Sequence, residues 1–270
     1  MREELNAVVT QRMEVAPGLI VLRVVPDGWA VPEFKPGQFA VLGVPGRAKR
    51  CEFSLPEETP ATPDKLIKRA YSIASSSVAK QYIEFFVALV ASGALTPRLF
   101  ALGVGDRLWL APKITGMFTL DQVPRDQHLV LIATGTGLAP YMSMLRTELV
   151  SGGSRRTAVL HGARHSWELG YRDELLTMAH LCPNLTYIPC VSQSRDEKVS
   201  WTGPVGRVQS IWASAVLTQA WGFAPSPATT HIFLCGNPAM IDDMAGVLQR
   251  QGYTEHKPRA PGNLHWERYW

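Results

Sequence analysis

The sequence predicts a two-domain protein in which an antiparallel β-barrel precedes a doubly wound α/β domain with a parallel sheet. Two observations lead to this prediction. Short β-branched runs broken by Gly and Pro dominate the first part of the chain, and compact apolar runs alternate with helical stretches in the second part. The 270 residues are enough for two ordinary domains. The change falls near residues 120–125, so we expect domains over 1–122 and 123–270.

The first domain is predicted from strand-length runs separated by turn residues. The expected strands cover residues 8–15, 19–25, 69–74, 82–90 and 106–111, and residues 34–42 are expected to form a turn followed by a strand. A short helix is expected to begin near Thr96. Residues 47–68, rich in Pro, Glu and Thr, interrupt this pattern. We interpret them as a surface insertion, with partner contact or dimerisation as the less favoured alternative.

The second domain begins with HLVLIA, residues 128–133, an apolar run typical of a parallel strand that is buried on both faces. Further strands are expected over 157–161, 185–191 and 231–235, and helices over 141–149, 172–180 and 238–251. This alternation is typical of a doubly wound sheet, whose ligands bind at the carboxyl ends of the strands.

Composition excludes several classes of protein. An apolar share of 46% with a charged share of 19% indicates a packed core. The net charge of +4 is dispersed, which suits an acidic partner or a phosphate-rich cofactor but does not indicate nucleic acid. The sequence has no signal-peptide run and no membrane-length apolar run, so we expect a cytoplasmic protein with no membrane partner. We also expect a monomer. No metal site is predicted, because metal-binding spacing is absent from the cysteines Cys51, Cys182, Cys190 and Cys235.

Two motifs lie in the first domain. In RAYSIAS, residues 69–75, a strand would direct Arg69 and Tyr71 to one face and Ser72 to the other. A flavin dinucleotide needs such a cation, flat ring and hydrogen-bond donor, although an ordinary amphipathic strand is the alternative. In GALTPRL, residues 93–99, a glycine turn opens a helix with Thr96 as N-cap and Pro97 at N1. Such a turn offers N–H groups to phosphate, but simple capping explains the same residues.

Two further motifs lie in the second domain. TGTGLAP, residues 134–140, directly follows the first strand, at the turn where dinucleotide pyrophosphates bind. Pro140 stands where the third glycine of the common G-x-G-x-x-G pattern belongs. CGNP, residues 235–238, ends the last clear strand at the same predicted edge, where a single Cys is usually a packing residue.

These motifs, taken in order with HGAR at 161–164, CGNPAM at 235–240 and ERYW at 267–270, resemble those of the bacterial ferredoxin–NADP⁺ reductase family. The segments at 34–39 and 104–106 agree, so the resemblance extends over nearly the whole chain. It implies an enzyme that uses FAD and NADP(H) and exchanges electrons between NADPH and a ferredoxin or flavodoxin. The alternatives are an NADH-linked reductase component of an oxygenase and a non-catalytic flavin subunit that relays electrons.

The resemblance also implies residues for the FAD site. Arg69 and the 93–96 turn would hold the pyrophosphate, and Tyr71 would stack on the isoalloxazine with Ser72 near N5. Tyr269 would cover the other flavin face, and Trp270 would pack near the adenine. The implied FAD set is Arg69, Ala70, Tyr71, Ser72, Phe86, Gly93, Ala94, Leu95, Thr96, Thr136, Tyr269 and Trp270. The implied catalytic residues are Ser72, Cys235 where the nicotinamide arrives, Glu267 for proton handling and Tyr269.

The choice of nucleotide depends on cations for the 2′-phosphate. Arg164 follows the second strand of the α/β domain, where such a residue belongs, and Arg207 matches another basic position of the family. The family's Ser-Arg pair becomes Ser192-Gln193 here, and Arg195 can replace the missing cation. Together these cations favour NADPH over NADH. The implied NADP set is Ala163, Arg164, Ser192, Arg195, Arg207, Gly236 and Asn237.

Overall fold

The structure, a computed structural model, describes residues 4–149 and 151–268. These residues form two compact units. The first unit runs to Thr119 and also contains Ala139–Thr147, whereas the second contains Leu120–Leu138 and the chain from Glu148 onward. The predicted domain boundary between residues 122 and 123 stays a prediction.

The first unit is built on a six-stranded sheet in which all the pairings between strands are antiparallel. Its strands are β1 (Ala7–Ala16), β2 (Leu19–Pro26), β3 (Phe39–Pro45), β4 (Leu66–Ser72), β5 (Ile83–Ala88) and β6 (Arg107–Leu110), with helix α1 (Thr96–Phe100) between the last two. The strand order is β4-β3-β6-β1-β2-β5. An additional antiparallel bridge joins Ile73 to Phe85, so the two ends of this order meet as in a barrel.

The core of the first unit follows the two-residue period of its strands. In β2, Ile20, Leu22 and Val24 alternate into the core and are fully buried. In β5, Ile83 and Phe85 do the same. Alternate residues of these strands therefore fill the barrel.

The second unit is a five-stranded parallel sheet. Its strands are β7 (His128–Thr134), β8 (Thr157–Ala163), β9 (Leu185–Val191), β10 (Thr230–Gly236) and β11 (Leu264–Arg268), in the order β11-β10-β7-β8-β9. Its helices are α3 (Arg172–Leu181), α4 (Val208–Ala213), α5 (Val216–Trp221) and α6 (Pro238–Arg250), whereas α2 (Ala139–Glu148) belongs to the first unit up to Thr147. No helix among the described residues is long and apolar enough to span a bilayer.

The observed elements confirm the predicted fold class, and three of them were not predicted. Helices α4 and α5 have six residues each, too few to show a helical period in the sequence. Strand β11 covers residues 264–268, where no strand was expected. The strand order reverses between β7 and β10, so their carboxyl ends form the crevice in which open α/β sheets bind ligands.

Strand β9 forms one edge of the parallel sheet and contains Pro189. Just beyond the strand, the Ser192 N–H donates to the Ala163 carbonyl of β8 at 3.0 Å. The preceding residue faces the other way, because the Val191 N–H donates to the Pro204 carbonyl at 3.3 Å. Val191, the last residue of β9, and Ser192 after it thus direct their N–H groups to opposite sides of the strand.

Three imidazoles stack where β10 meets β11. His231 Nδ1 lies 3.0 Å from His265 Nε2, and the His265 ring stacks on Phe233 and on His256. Burial, with smaller effects from the two neighbouring histidines, lowers the pKa of His265 to about 3. This stack joins β10, β11 and His256 at the edge of the sheet.

A buried carboxylate ties three elements of the first unit together. Glu84 of β5 has a side chain only 1% exposed. It accepts hydrogen bonds from Arg23 Nε of β2 at 2.7 Å and from Arg146 Nη1 of α2 at 2.7 Å. Arg146 Nη1 also donates at 2.8 Å to the carbonyl of Ala74, two residues after the end of β4. A buried charge is stable only when it is paired in this way.

Replacing Glu84 by Gln is expected to lower the free energy of unfolding by about 3 kcal/mol, because two arginines then pack around a group that cannot neutralise them. Urea unfolding measures this loss. Glu14→Gln is the matched control, since Glu14 is exposed and 3.9 Å from Arg12, and it should change stability by less than about 0.5 kcal/mol. Equal losses in the two variants would contradict the role assigned to Glu84.

Candidate active site

The RAYS residues of β4 lie on the strand as the sequence predicts. Arg69 is exposed, and its Nη1 donates to the Lys68 carbonyl at 2.7 Å. Tyr71 is half-buried and packs against the barrel core, and burial raises the pKa of its phenol. Ser72 is buried. The strand thus combines an exposed cation with a neutral aromatic ring two residues further on.

The turn after β5 is built around Val90. The Gly93 N–H donates to the Val90 carbonyl at 2.8 Å, and the Thr96 hydroxyl bonds to both the N–H and the carbonyl of Val90. Helix α1 begins at Thr96, with Leu95 as N-cap. The prediction of Thr96 as N-cap is therefore wrong, because its side chain binds the preceding chain segment rather than the helix. The Gly93 N–H is also occupied, so any amides offered to a phosphate belong to later residues of the turn.

Residues 47–65 lie directly against this turn, which the interpretation as a surface insertion did not anticipate. The Leu55 N–H donates to the Ala91 carbonyl and the Cys51 N–H to the Pro97 carbonyl, each at 2.9 Å. Glu57 accepts from Arg98 Nη1 at 2.7 Å. Arg98 is only 3% exposed. Because Glu57 and Arg98 are 41 residues apart, no local pattern could reveal their pairing.

In the second unit, the backbone at the end of β7 approaches the end of β10 closely. A Cβ atom on Gly137 would lie 2.3 Å from the Cys235 carbonyl oxygen. Gly236 has a φ of +131°, and a Cβ there would lie 2.4 Å from Thr134 Oγ1. The Asn237 N–H donates to the same Thr134 oxygen at 3.0 Å. Gly137 of TGTG and Gly236 of CGNP are therefore required by this contact between the two motifs, and Thr134 links them through its hydroxyl oxygen.

Asn237 has a second function in this contact. Its side-chain oxygen accepts from the Ala239 and Met240 N–H groups at 2.9 and 3.4 Å, so it is the N-cap of α6. Cys235, at the end of β10, is completely buried. Glu267 of β11 is paired with Cys235 in the parallel register, which puts the two side chains on the same face of the sheet.

The loops after β8 and β9 meet at the carboxyl edge of the sheet. The Ser192 and Gln193 N–H groups donate to the Ala163 and Arg164 carbonyls at 3.0 and 2.9 Å. Arg207 is the N-cap residue of α4. Val205, two residues earlier, forms a parallel bridge with Val191 of β9. Arg195 and Arg207 are exposed. The structure therefore brings the predicted cation-bearing loops to one edge.

Carboxylates also line this edge. The Arg164 side chain is 70% exposed, yet its Nη2 donates to Glu168 Oε1 at 2.6 Å. Burial alone would raise the pKa of Glu168, but the hydrogen bonds and charge of Arg164 outweigh it and lower this pKa. Glu197 accepts from both the N–H and the hydroxyl of Ser166 at 2.6 Å. An anion that approaches Arg164 therefore competes with a carboxylate of the same chain.

The other predicted site residues have simpler surroundings. Ala70 is exposed on β4, Phe86 is buried on β5, and Thr136 is half-buried in the 3-10 turn Gly135–Leu138. Tyr269 and Trp270 lie outside the described residues. Within the part of the chain that the structure describes, no group of three His, Cys, Asp or Glu side chains is arranged to hold a metal ion.

Comparison with known proteins identifies the class. Residues 131–246 match the family model described as oxidoreductase NAD-binding domain. The fold resembles that of a ferredoxin NADP⁺ reductase from Neisseria gonorrhoeae solved with bound FAD and NADP, with a TM-score of 0.82, 23% identity and 98% of each chain covered. A barrel followed by this parallel-sheet unit thus defines an oxidoreductase with an NAD-binding domain.

Sequence relatives narrow the class to a family. The chain is 30% identical to the flavodoxin/ferredoxin–NADP reductase of Escherichia coli over 238 residues, which cover 88% of each protein. It is also 30% identical to the ferredoxin–NADP reductase of Azotobacter vinelandii over 228 residues, covering 81% of this chain and 80% of that protein. The chain belongs to the flavodoxin/ferredoxin–NADP reductase family, as its motifs predicted.

The Glu57–Arg98 pair should make stability depend on pH in acid. The hydrogen bond from Arg98 is the main cause that lowers the pKa of Glu57 from 4.5 to about 2. A lowered carboxyl pKa stabilises the fold above its ordinary value, and this contribution is lost as the pH falls towards about 2. We expect wild type to melt at a higher temperature than Glu57→Gln at pH 6, and the gap to narrow as the pH falls below 4.5. A gap that does not change with pH would contradict the ion pair.

Proposed function

We propose that this chain binds FAD and NADP(H) and exchanges electrons between NADPH and a ferredoxin or flavodoxin. The observation that carries the proposal is that each unit contains the donor set that one of these two cofactors needs. Exposed Arg69, the Tyr71 ring and the turn at 93–96 all belong to the first unit, and three exposed arginines and two glycine-containing strand ends belong to the second.

In the first unit, the donor set fits FAD. Arg69 supplies a cation for the pyrophosphate, and the 93–96 turn supplies backbone N–H groups. Tyr71 presents a neutral, half-buried ring suited to stacking on the isoalloxazine. Ser72, the next residue, has a hydroxyl for the N5 side. FAD supplies the chemistry that joins hydride transfer to the transfer of single electrons.

In the second unit, the carboxyl edge fits NADP(H). The close approach of Gly137 to Cys235 brings the turn after β7 against the end of β10, at the strand ends where α/β sheets bind a pyrophosphate. Arg164, Arg195 and Arg207 are exposed at the adjacent loops and suit a 2′-phosphate. Cys235 and Glu267, which share a face, are proposed to act at the nicotinamide end, and Tyr269 and Trp270 at the flavin.

Two other functions would use the same fold. An NADH-linked oxygenase reductase would show little preference for NADPH, and a flavin relay subunit would not turn over nucleotide. The arginines at the edge of the second unit favour the NADPH-linked reductase over both. The proposed enzyme is a cytoplasmic monomer, and size-exclusion chromatography tests its oligomeric state.

The purified protein is expected to carry FAD and to oxidise NADPH with at least about tenfold higher kcat/KM than NADH, which corresponds to about 1.4 kcal/mol. Chromatography of the heat-released flavin and steady-state assays with ferricyanide, ferredoxin and flavodoxin measure this. Released FMN would contradict the FAD site. Equal use of the two nucleotides would favour the oxygenase reductase, and no turnover would favour the relay.

The Arg164–Glu168 pair should tune the choice of nucleotide. Arg164→Ala should remove most of the NADPH preference while NADH rates stay nearly constant, because only the 2′-phosphate needs this cation. Glu168→Gln should lower the KM for NADPH by about two- to fivefold, since it releases Arg164 from an exposed ion pair that is typically worth up to about 1 kcal/mol.

Glu255→Gln is the matched control for Glu168→Gln. It also removes one negative charge from the second unit, but Glu255 is paired with Lys257. It should leave both KM values unchanged. If Glu168→Gln improves NADH and NADPH equally, the effect is not on the 2′-phosphate and the role of Arg164 is contradicted.

A further inference from the structure

Two guanidinium groups contact the turn that follows β5, one from Arg50 in the segment 47–65 and one from Arg98 in α1. Arg50 Nη1 donates to the Gly93 carbonyl at 3.0 Å, and its Nη2 donates to the Ala91 carbonyl at 3.2 Å. Arg98 Nη1 donates to the Ala94 carbonyl at 2.7 Å. Three carbonyls of one turn are thus bound to arginines on the same side.

Glu57 holds these two arginines in place. Its Oε1 accepts from Arg50 Nη1 at 3.0 Å and from Arg98 Nη1 at 2.7 Å, and its Oε2 accepts from Arg98 Nη2 at 3.1 Å. The far side of Arg98 is fixed as well, because its Nε and Nη2 both donate to the Gly46 carbonyl. We call Arg50, Glu57 and Arg98 the clamp.

Peptide geometry determines what the clamp does to the turn. In a planar trans peptide, the carbonyl of one residue and the N–H of the next point in opposite directions. Fixing the Gly93 carbonyl on the clamp therefore directs the Ala94 N–H away from it, and fixing the Ala94 carbonyl does the same to the Leu95 N–H. Two successive N–H groups directed to one side form a concave binding surface for an anion.

We propose that the clamp is a positioning element of the FAD site, which holds the Ala94 and Leu95 N–H groups in the orientation that binds the pyrophosphate. This inference rests on the proposed function, since it assumes FAD. It assigns a role to the segment 47–65, which comes from an otherwise featureless stretch of the sequence. None of the three clamp residues needs to touch the cofactor.

The clamp makes a prediction opposite to that of simple electrostatics. Arg50, Arg98 and Glu57 together carry one positive charge, and Glu57→Gln raises this to two. If the clamp acted only through its charge, Glu57→Gln would hold the anionic pyrophosphate more tightly. If it acts by fixing carbonyls, the loosened arginines let the turn relax and FAD is held more weakly.

The test is the rate at which FAD leaves the holoenzyme, followed by the rise in flavin fluorescence on release. Glu57→Gln and Arg50→Lys should each release FAD about tenfold faster than wild type, because each loses charge-assisted hydrogen bonds of the clamp. Arg50→Lys keeps the charge and removes only the forked donor geometry. The visible spectrum of the bound flavin should not change, since the clamp acts on the pyrophosphate end and not on the ring.

Asp64→Asn is the matched control. Asp64 also lies in the segment 47–65 and pairs with an arginine, but this is the exposed Arg47, which is outside the clamp. Its FAD release should stay within about twofold of wild type.

The outcomes separate this inference from the proposed function. Wild-type protein without FAD would overturn the proposed function itself. Wild-type protein with FAD, together with unchanged or slower release in both clamp variants, would overturn the clamp alone. If Glu57→Gln does not fold, Arg50→Lys decides the question, because Arg50 is partly solvated and its charge is retained.

Discussion

A carboxylate that bridges two arginines is the interaction on which the first unit depends, and the unit contains it twice. Glu84 joins Arg23 and Arg146, and Glu57 joins Arg50 and Arg98. In the first triad Arg146 also binds the Ala74 carbonyl. In the second, Arg50 binds the Gly93 carbonyl and Arg98 binds the Ala94 carbonyl. A buried charge is strongly destabilised when it moves away from its partners. The two triads therefore fix the backbone beside the strand and the turn of the proposed flavin site.

The sequence revealed the features that have a local period or a local motif. The apolar run before Thr134 and the β-branched run in β2 predicted strands, because such runs and the turn residues beside them are local features of the sequence. The order of the motifs predicted the family. It also predicted that the loops with the arginines lie at the carboxyl edge of the parallel sheet. The pairing of Glu57 with Arg98 joins positions 41 residues apart, and Glu84 is the only acidic residue in the strand IEFFVA. Neither triad has a local signal, so the sequence could not predict what holds the motifs in place.

Local patterns also failed where one side chain had two possible partners. Thr is a common N-cap residue, but the hydroxyl of Thr96 binds Val90 because the turn after β5 brings these two residues together. Arg164 has the position of a phosphate-binding residue, but Glu168, four residues later, takes its guanidinium in the structure. In both cases the residue type was recognised correctly and the competing partner was set by the tertiary fold. Under the proposed function, a 2′-phosphate at Arg164 therefore replaces Glu168 as the partner of this guanidinium.

The edge strand β9 limits how this protein can associate with other chains. The N–H of Ser192 faces β8 and that of Val191 faces outward, and by alternation the backbone nitrogen of Pro189 also faces outward. Proline has no N–H, so an incoming strand finds a missing donor at this position, and two residues later it finds Val191 already bonded to Pro204 and Gly206. A sheet with such an edge resists extension by a neighbouring molecule, which protects a chain with a long parallel sheet from edge-to-edge aggregation.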